Sequence, residues 1–154
     1  MEKQFDVIVK TRMNFLNLVN GLSIDELNKI PEGFNNNIAW NFGHIIMSQQ
    51  VLCYVRAGIA PRCGELLIKK YQKGSKPESF IDTEEIEQLK KLAFSLIDDL
   101  KTDMKENKFA GYEPVSTSFG VDLNNVEDAI PYFSMHDGLH LGYAMAIRKN
   151  LSKK

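Results

Sequence analysis

Apolar residues return every three or four positions through much of the chain, the spacing that lines up one face of an α-helix. Phe5, Ile8, Phe15, Leu16 and Val19 mark such a face and predict a first helix over about residues 4 to 20, ending near Gly21. A short helical turn is expected between Ser23 and Ile30, followed by a reversal at Pro31 and Gly33. Any of Asn35, Asn36 and Asn37 suits the N-cap of a second helix, because a short amide side chain can accept the free N–H groups of a first turn. That helix would begin near Ile38, carry Phe42, Ile45, Leu52 and Tyr54, and stop around Ala57 and Gly58, just before Pro61. Residues 59 to 81 read as a connection whose lysines, Lys69, Lys70, Lys73 and Lys76, belong to a solvated segment.

The third helix has the clearest pattern. Asp82 followed three residues later by Glu85 resembles a capping box, and Ile86, Leu89, Ala93, Leu96, Ile97, Leu100 and Met104 form an unbroken apolar stripe up to about Asn107. Residues 108 to 124 are rich in Gly, Pro and Ser, and the aromatics Phe109, Tyr112 and Phe119 among them predict a packed loop. A fourth helix is expected over about 126 to 150, with Pro131 either opening its regular part or kinking it. Arg148, Lys149, Lys153 and Lys154 suit its C-terminal end, where cations meet the negative pole of the helix. Four amphipathic helices with no strand-like alternation between them predict an all-α, four-helix-bundle fold, one domain over residues 1–154.

Composition narrows the function classes. Apolar residues make up 44% and charged residues 25%, ordinary for a globular domain, and no apolar run approaches the length of a membrane span. The segment Met1 to Asp6 mixes charged and apolar residues unlike a secretory leader, so a cytoplasmic location is expected. Nineteen basic against twenty acidic side chains leave a net charge of −1, too little cationic field to expect nucleic acid as a partner. Cys53 and Cys63 form no C-x-x-C pair and predict neither a disulfide framework nor a cysteine zinc site.

The candidate chemistry lies in the three histidines. His136 and His140 are four residues apart on the fourth helix, so both imidazoles leave the same face one turn apart and can chelate one ion. Ala129, Phe133, Ala144 and Ile147 share that face, which places both rings inward. His44 lies in mid-helix with Asn41 and Ser48 on its side, and a meeting with the other two would give three nitrogen ligands with a position left open. Isolated histidines are more often satisfied core or surface side chains, but here three mid-helix positions must be explained together. The run from His136 to His140 also reads H-D-x-x-H, close to the H-E-x-x-H of zinc peptidases, yet no acidic residue follows to serve as a downstream ligand. Paired Glu-x-x-His segments, which a di-iron bundle needs, are absent. Asp137 is a candidate for orienting a ligand histidine or for acting as a base, with plain solvation as the alternative. Cys53, nine residues past His44, falls on the opposite helix face and is no candidate ligand; Cys63 reads as an inert thiol.

The segment Ile38-Ala39-Trp40-Asn41-Phe42-Gly43-His44-Ile45, together with His136-Asp137-Gly138-Leu139-His140-Leu141-Gly142, resembles the DinB/YfiT-like superfamily of four-helix bundles, and the likeness runs nearly end to end. The resemblance implies a divalent metal, zinc, nickel or iron, held by His44, His136 and His140. It also implies an enzyme of thiol S-transferase type, acting on a small-molecule substrate with a low-molecular-weight thiol such as bacillithiol or mycothiol, and a homodimer. Hydrolysis by metal-bound hydroxide, or a metal-binding stress-response bundle without turnover, are the alternative expectations.

Overall fold

The structure, a computed structural model, describes residues 1–152, so the expected terminal cations Lys153 and Lys154 lie outside the described residues. The fold is all-α apart from one pair of two-residue strands: α1 (Glu2–Asn20), α2 (Ile24–Asn28), α3 (Ile38–Gln50), α4 (Glu65–Tyr71), α5 (Thr83–Lys105), β1 (Val115–Ser116), β2 (Asp122–Leu123) and α6 (Val126–Asn150). Of the long helices, α1 and α3 each pack against both α5 and α6. No described helix is long and apolar enough to cross a membrane.

Local chemistry sets the helix ends. Ser23 starts α2 with a complete capping box to Glu26, and of the three candidate asparagines it is Asn37 that caps α3, accepting from the Trp40 N–H at 2.8 Å. Asp82 accepts from the Glu85 N–H at 2.9 Å as its spacing predicts. The Glu85 carboxylate does not return the favour but takes the Tyr71 hydroxyl and the Lys70 ammonium instead. After Gln50 the helix widens into a π-helical turn, Val51–Val55, in which the Arg56 N–H bonds to the Val51 carbonyl at 3.1 Å.

Two expectations need correction. Residues 59 to 81 are more than a connection: Glu65–Tyr71 is helical, and Ile68 and Tyr71 are buried against α3. Two turns are too short for an apolar stripe to stand out in the sequence. The 108 to 124 loop contains the antiparallel pair Val115↔Leu123 and Ser116↔Asp122, strands too short to show alternation. The fourth long helix has the expected bounds: α6 begins at Val126 with Asn125 as its cap and runs through Pro131 rather than opening there. Pro131 lies on an exposed position near the start of the helix, where water can serve the one carbonyl its missing N–H leaves free.

The core divides into two apolar clusters. One joins Phe15, Phe42, Ile45, Leu89 and Ile147; the other joins Phe5, Ile8, Tyr54, Leu100 and Phe133. On α1 the inward series is Phe5, Ile8, Arg12, Phe15 and Val19, with Leu18 rather than Leu16 beside it. Arg12 therefore enters the interior between the two clusters. Its Nε donates to Asp137 Oδ2 at 2.9 Å, with both side chains fully buried. Its Nη1 and Nη2 donate to the carbonyls of Ala93 (2.9 Å) and Ile45 (3.3 Å), so one guanidinium touches all four long helices. Replacing it with an apolar residue strands a buried carboxylate, which costs about 3–5 kcal/mol. Urea unfolding should show Arg12→Met destabilised by that order, and the double variant Arg12→Met, Asp137→Leu should recover most of the loss.

Candidate metal centre

The three predicted histidines meet. His44 from α3 and His136 and His140 from α6 each offer a ligand nitrogen, all within 4.8 Å of one another. Ring centroids stand 5.2 Å apart for His44–His136, 4.5 Å for His44–His140 and 4.6 Å for His136–His140. Tetrahedral coordination with Zn–N bonds of 2.0–2.1 Å needs nitrogens about 3.3 Å apart, so only side-chain rotations of modest size separate this arrangement from a closed site.

Outer hydrogen bonds fix which nitrogen carries the proton, and Ser48 Oγ lies 3.4 Å from the other nitrogen of His44. His44 Nδ1 lies 2.7 Å from the Tyr71 carbonyl, and His140 Nδ1 lies 2.8 Å from Asn41 Oδ1. Both acceptors call for an N–H at Nδ1, which leaves Nε2 of each ring as a lone pair. Asn41 is held in turn, because its amide nitrogen donates to Asn36 Oδ1 and to the Asn37 carbonyl. His136 differs. Its Nδ1 is buried without a partner, and 3.7 Å away is Asp137 Oδ1, also buried and unpartnered. Two complementary orphans this close are one small torsion from a hydrogen bond.

Burial favours the neutral form of His44 and His140. Desolvation lowers His44 from 6.5 to about 4, against the Tyr71 carbonyl, which favours the charged form. Desolvation likewise lowers His140 from 6.5 to about 3, and the neighbouring imidazoles add to it. Trp40 stacks on His44 at 4.6 Å and Tyr132 on His136 at 5.6 Å, shielding the two rings from water. Neutral imidazoles with convergent lone pairs are the donor set that zinc, nickel and iron accept.

Helix α4, absent from the sequence reading, supplies the acceptor for His44 through one of its C-terminal carbonyls, which have no partner inside the helix. It comes this close because position 43 is glycine. A Cβ there would stand 2.4 Å from the Tyr71 ring. Arg12 and Tyr71 are the residues that sequence reasoning missed. The signal for Arg12 was its place in the Phe5, Ile8, Phe15, Val19 series, and for α4 the pair Ile68 and Tyr71.

Neither cysteine joins the site. Cys53 is fully buried in the second apolar cluster, and Cys63 is partly buried with its Sγ 3.5 Å from the sulfur of Met47. Burial pushes both thiols up, away from the reactive thiolate. Beside the histidines, a cavity of about 220 Å³ is bounded by His136 and Tyr132, by Val51 and Leu52 of the π-helical turn, and by Val115 to Phe119 of the hairpin.

A mostly helical protein with three convergent histidines on two facing helices is a class suited to holding one divalent ion. The chain belongs to the DinB superfamily, whose family model matches residues 8–144, a span that includes all three histidines. No curated protein matches it.

The depressed histidines give the metal-free protein a defined pH dependence. Between about pH 3 and pH 6.5 the unfolded chain binds protons at His44 and His140 that the folded chain does not. Their neutral burial is therefore free of this penalty above pH 6.5, and stability is lost as pH falls through that window. Melting temperature followed from pH 7 to pH 4 should decline, with a shallower slope in His44→Asn, His140→Asn.

Proposed function

We propose that residues 1–154 act as one DinB-type four-helix-bundle domain that binds a divalent transition metal through His44, His136 and His140 and catalyses thiol S-transfer. The observation that carries this reading is the convergence of the three ligand nitrogens within 4.8 Å, with His44 and His140 already oriented from behind. The bound ion would supply a local positive charge that lowers the pKa of an incoming thiol. The protein's own groups do the positioning. Tyr71 and Asn41 hold two rings by their Nδ1–H groups, and Asp137, anchored by Arg12, stands where it can take the Nδ1–H of His136. Asp137 thus acts as an orienting carboxylate, because its Oδ2 is committed to a buried guanidinium. Trp40 and Tyr132 limit water at the rings, and the cavity beside His136 gives an electrophilic substrate a place to sit.

Elemental analysis of tag-free, chelator-free protein tests the metal. About one equivalent of zinc, nickel or iron is expected in the wild type, lost from His136→Ala with helical circular dichroism retained. A wild type that takes up none of the three on reconstitution would falsify this reading. With metal established, electrophile consumption that requires bacillithiol or mycothiol supports transfer, whereas ester turnover without thiol points to hydrolysis. Inactivity across both panels leaves a metal-binding bundle. A cytoplasmic homodimer fits the apolar Val7 and Met13 exposed on α1, and sedimentation equilibrium should then give twice the 17.5 kDa chain mass.

A further inference from the structure

The cavity beside the histidines is lined by two chemically different groups on an apolar background. One is His136, 6% exposed, the member of the histidine cluster that lines it. Most of the lining surface is apolar, from Val51, Leu52, Val115, Phe119 and Tyr132, together with Gln72 and four serine and threonine side chains. The other is Lys73, an exposed residue. Lys73 is the one Lys or Arg that lines the cavity among the described residues, and no carboxylate lines it. Its ammonium makes no ion pair among the described residues, whereas Lys70, one turn earlier, is committed to Glu85 at 2.7 Å.

The backbone that bears Lys73 is tied to the histidine cluster. Residues 72 to 75 form a tight turn in which the Ser75 N–H bonds to the Gln72 carbonyl at 3.0 Å, with Gly74 at φ 86°. A turn with positive φ at its third residue requires glycine there and presents the second residue, Lys73, at its corner. The turn is tied down where Trp40 Nε1 donates to Ser75 Oγ at 3.1 Å. That same indole stacks on His44, so the corner bearing Lys73 and the histidine cluster are braced by one side chain.

We propose that the substrate of this site is a small, largely apolar molecule carrying one anionic group, and that Lys73 binds that group while the apolar body directs the reacting end toward His136. This deepens the proposed function and rests on it for the statement that chemistry occurs at the histidines. A free ammonium lining the same cavity as a metal-bearing histidine favours an anion, because both groups then bring positive charge to it and no carboxylate lines it. A mostly apolar lining surface favours a hydrocarbon or aromatic body over a polyol. A volume of about 220 Å³ holds a ligand of benzoate or hexanoate size.

The test is calorimetric titration of the full-length protein with benzoate and hexanoate against benzamide and hexanamide, in wild type, Lys73→Met and Lys73→Arg. Metal content is measured on each sample, with and without EDTA. The acids are expected to bind in preference to the amides, to weaken about 3- to 10-fold in Lys73→Met, and to recover in Lys73→Arg. Lys73-dependent binding that persists after EDTA supports the proposal even if the metal reading fails. Acid binding that is unchanged in Lys73→Met but abolished by EDTA places the carboxylate on the metal and overturns the role of Lys73. Equal binding of acids and amides, or no binding of any probe, overturns the substrate class.

Discussion

Arg12 carries a fully buried guanidinium between two apolar clusters, and its three contacts reach α3, α5 and α6 at once. Desolvating an arginine and a carboxylate is expensive, and the pair is retained only where geometry compensates both charges. Here it does so in the plane where the apolar packing is interrupted. Ile45 and Asp137, which receive two of the hydrogen bonds, are each one residue from a site histidine, His44 and His136. The contact that joins the four long helices is therefore also a link between the two helices bearing the three histidines. A purely apolar plug at this level would permit small slides along the helices; fixed donors aimed at named oxygens do not.

The site inherits its order from this frame and from the layer behind it. Tyr71, delivered by α4, and Asn41, held by Asn36 and Asn37, turn two imidazoles so that their lone pairs converge. The close approach of α4 depends on the missing side chain at Gly43. Desolvation then keeps the rings unprotonated at neutral pH, which is the state a metal needs. Orientation and charge state of His44 and His140 are thus both settled by neighbours outside the histidine cluster.

The cavity extends the same logic outward. The π-helical turn after α3 brings Val51 and Leu52 to one wall, while the β1–β2 hairpin supplies the facing wall. An extra residue in the turn re-aims side chains without breaking the helix, a device often found next to functional sites. The π-helical turn and the 72 to 75 turn both lie close in sequence to elements that orient His44. The shape of the cavity and the geometry of the histidines are consequently coupled through short stretches of backbone.

Periodicity determined α1 and α5, since an apolar stripe repeated over five or six turns has one consistent burial, and it located α3 and α6 as well, although α3 is buried on every side. The i, i+4 spacing of His136 and His140 determined that they share a face, because helical geometry is local. Capping at Asp82 was legible for the same reason, while three adjacent asparagines were equal candidates for the cap that Asn37 provides. That His44 meets the other two was implied by family resemblance, and only the packing of α3 on α6 brings it about. The seven residues of α4, the hairpin, and the buried role of Arg12 were decided by tertiary structure: the first two are too short to carry a periodic signal, and a charged residue on an apolar face does not reveal its partner. Which nitrogen of His44 and of His140 carries the proton was likewise decided there, because Tyr71 and His44, or Asn41 and His140, are far apart along the chain and become neighbours only when the helices close around them.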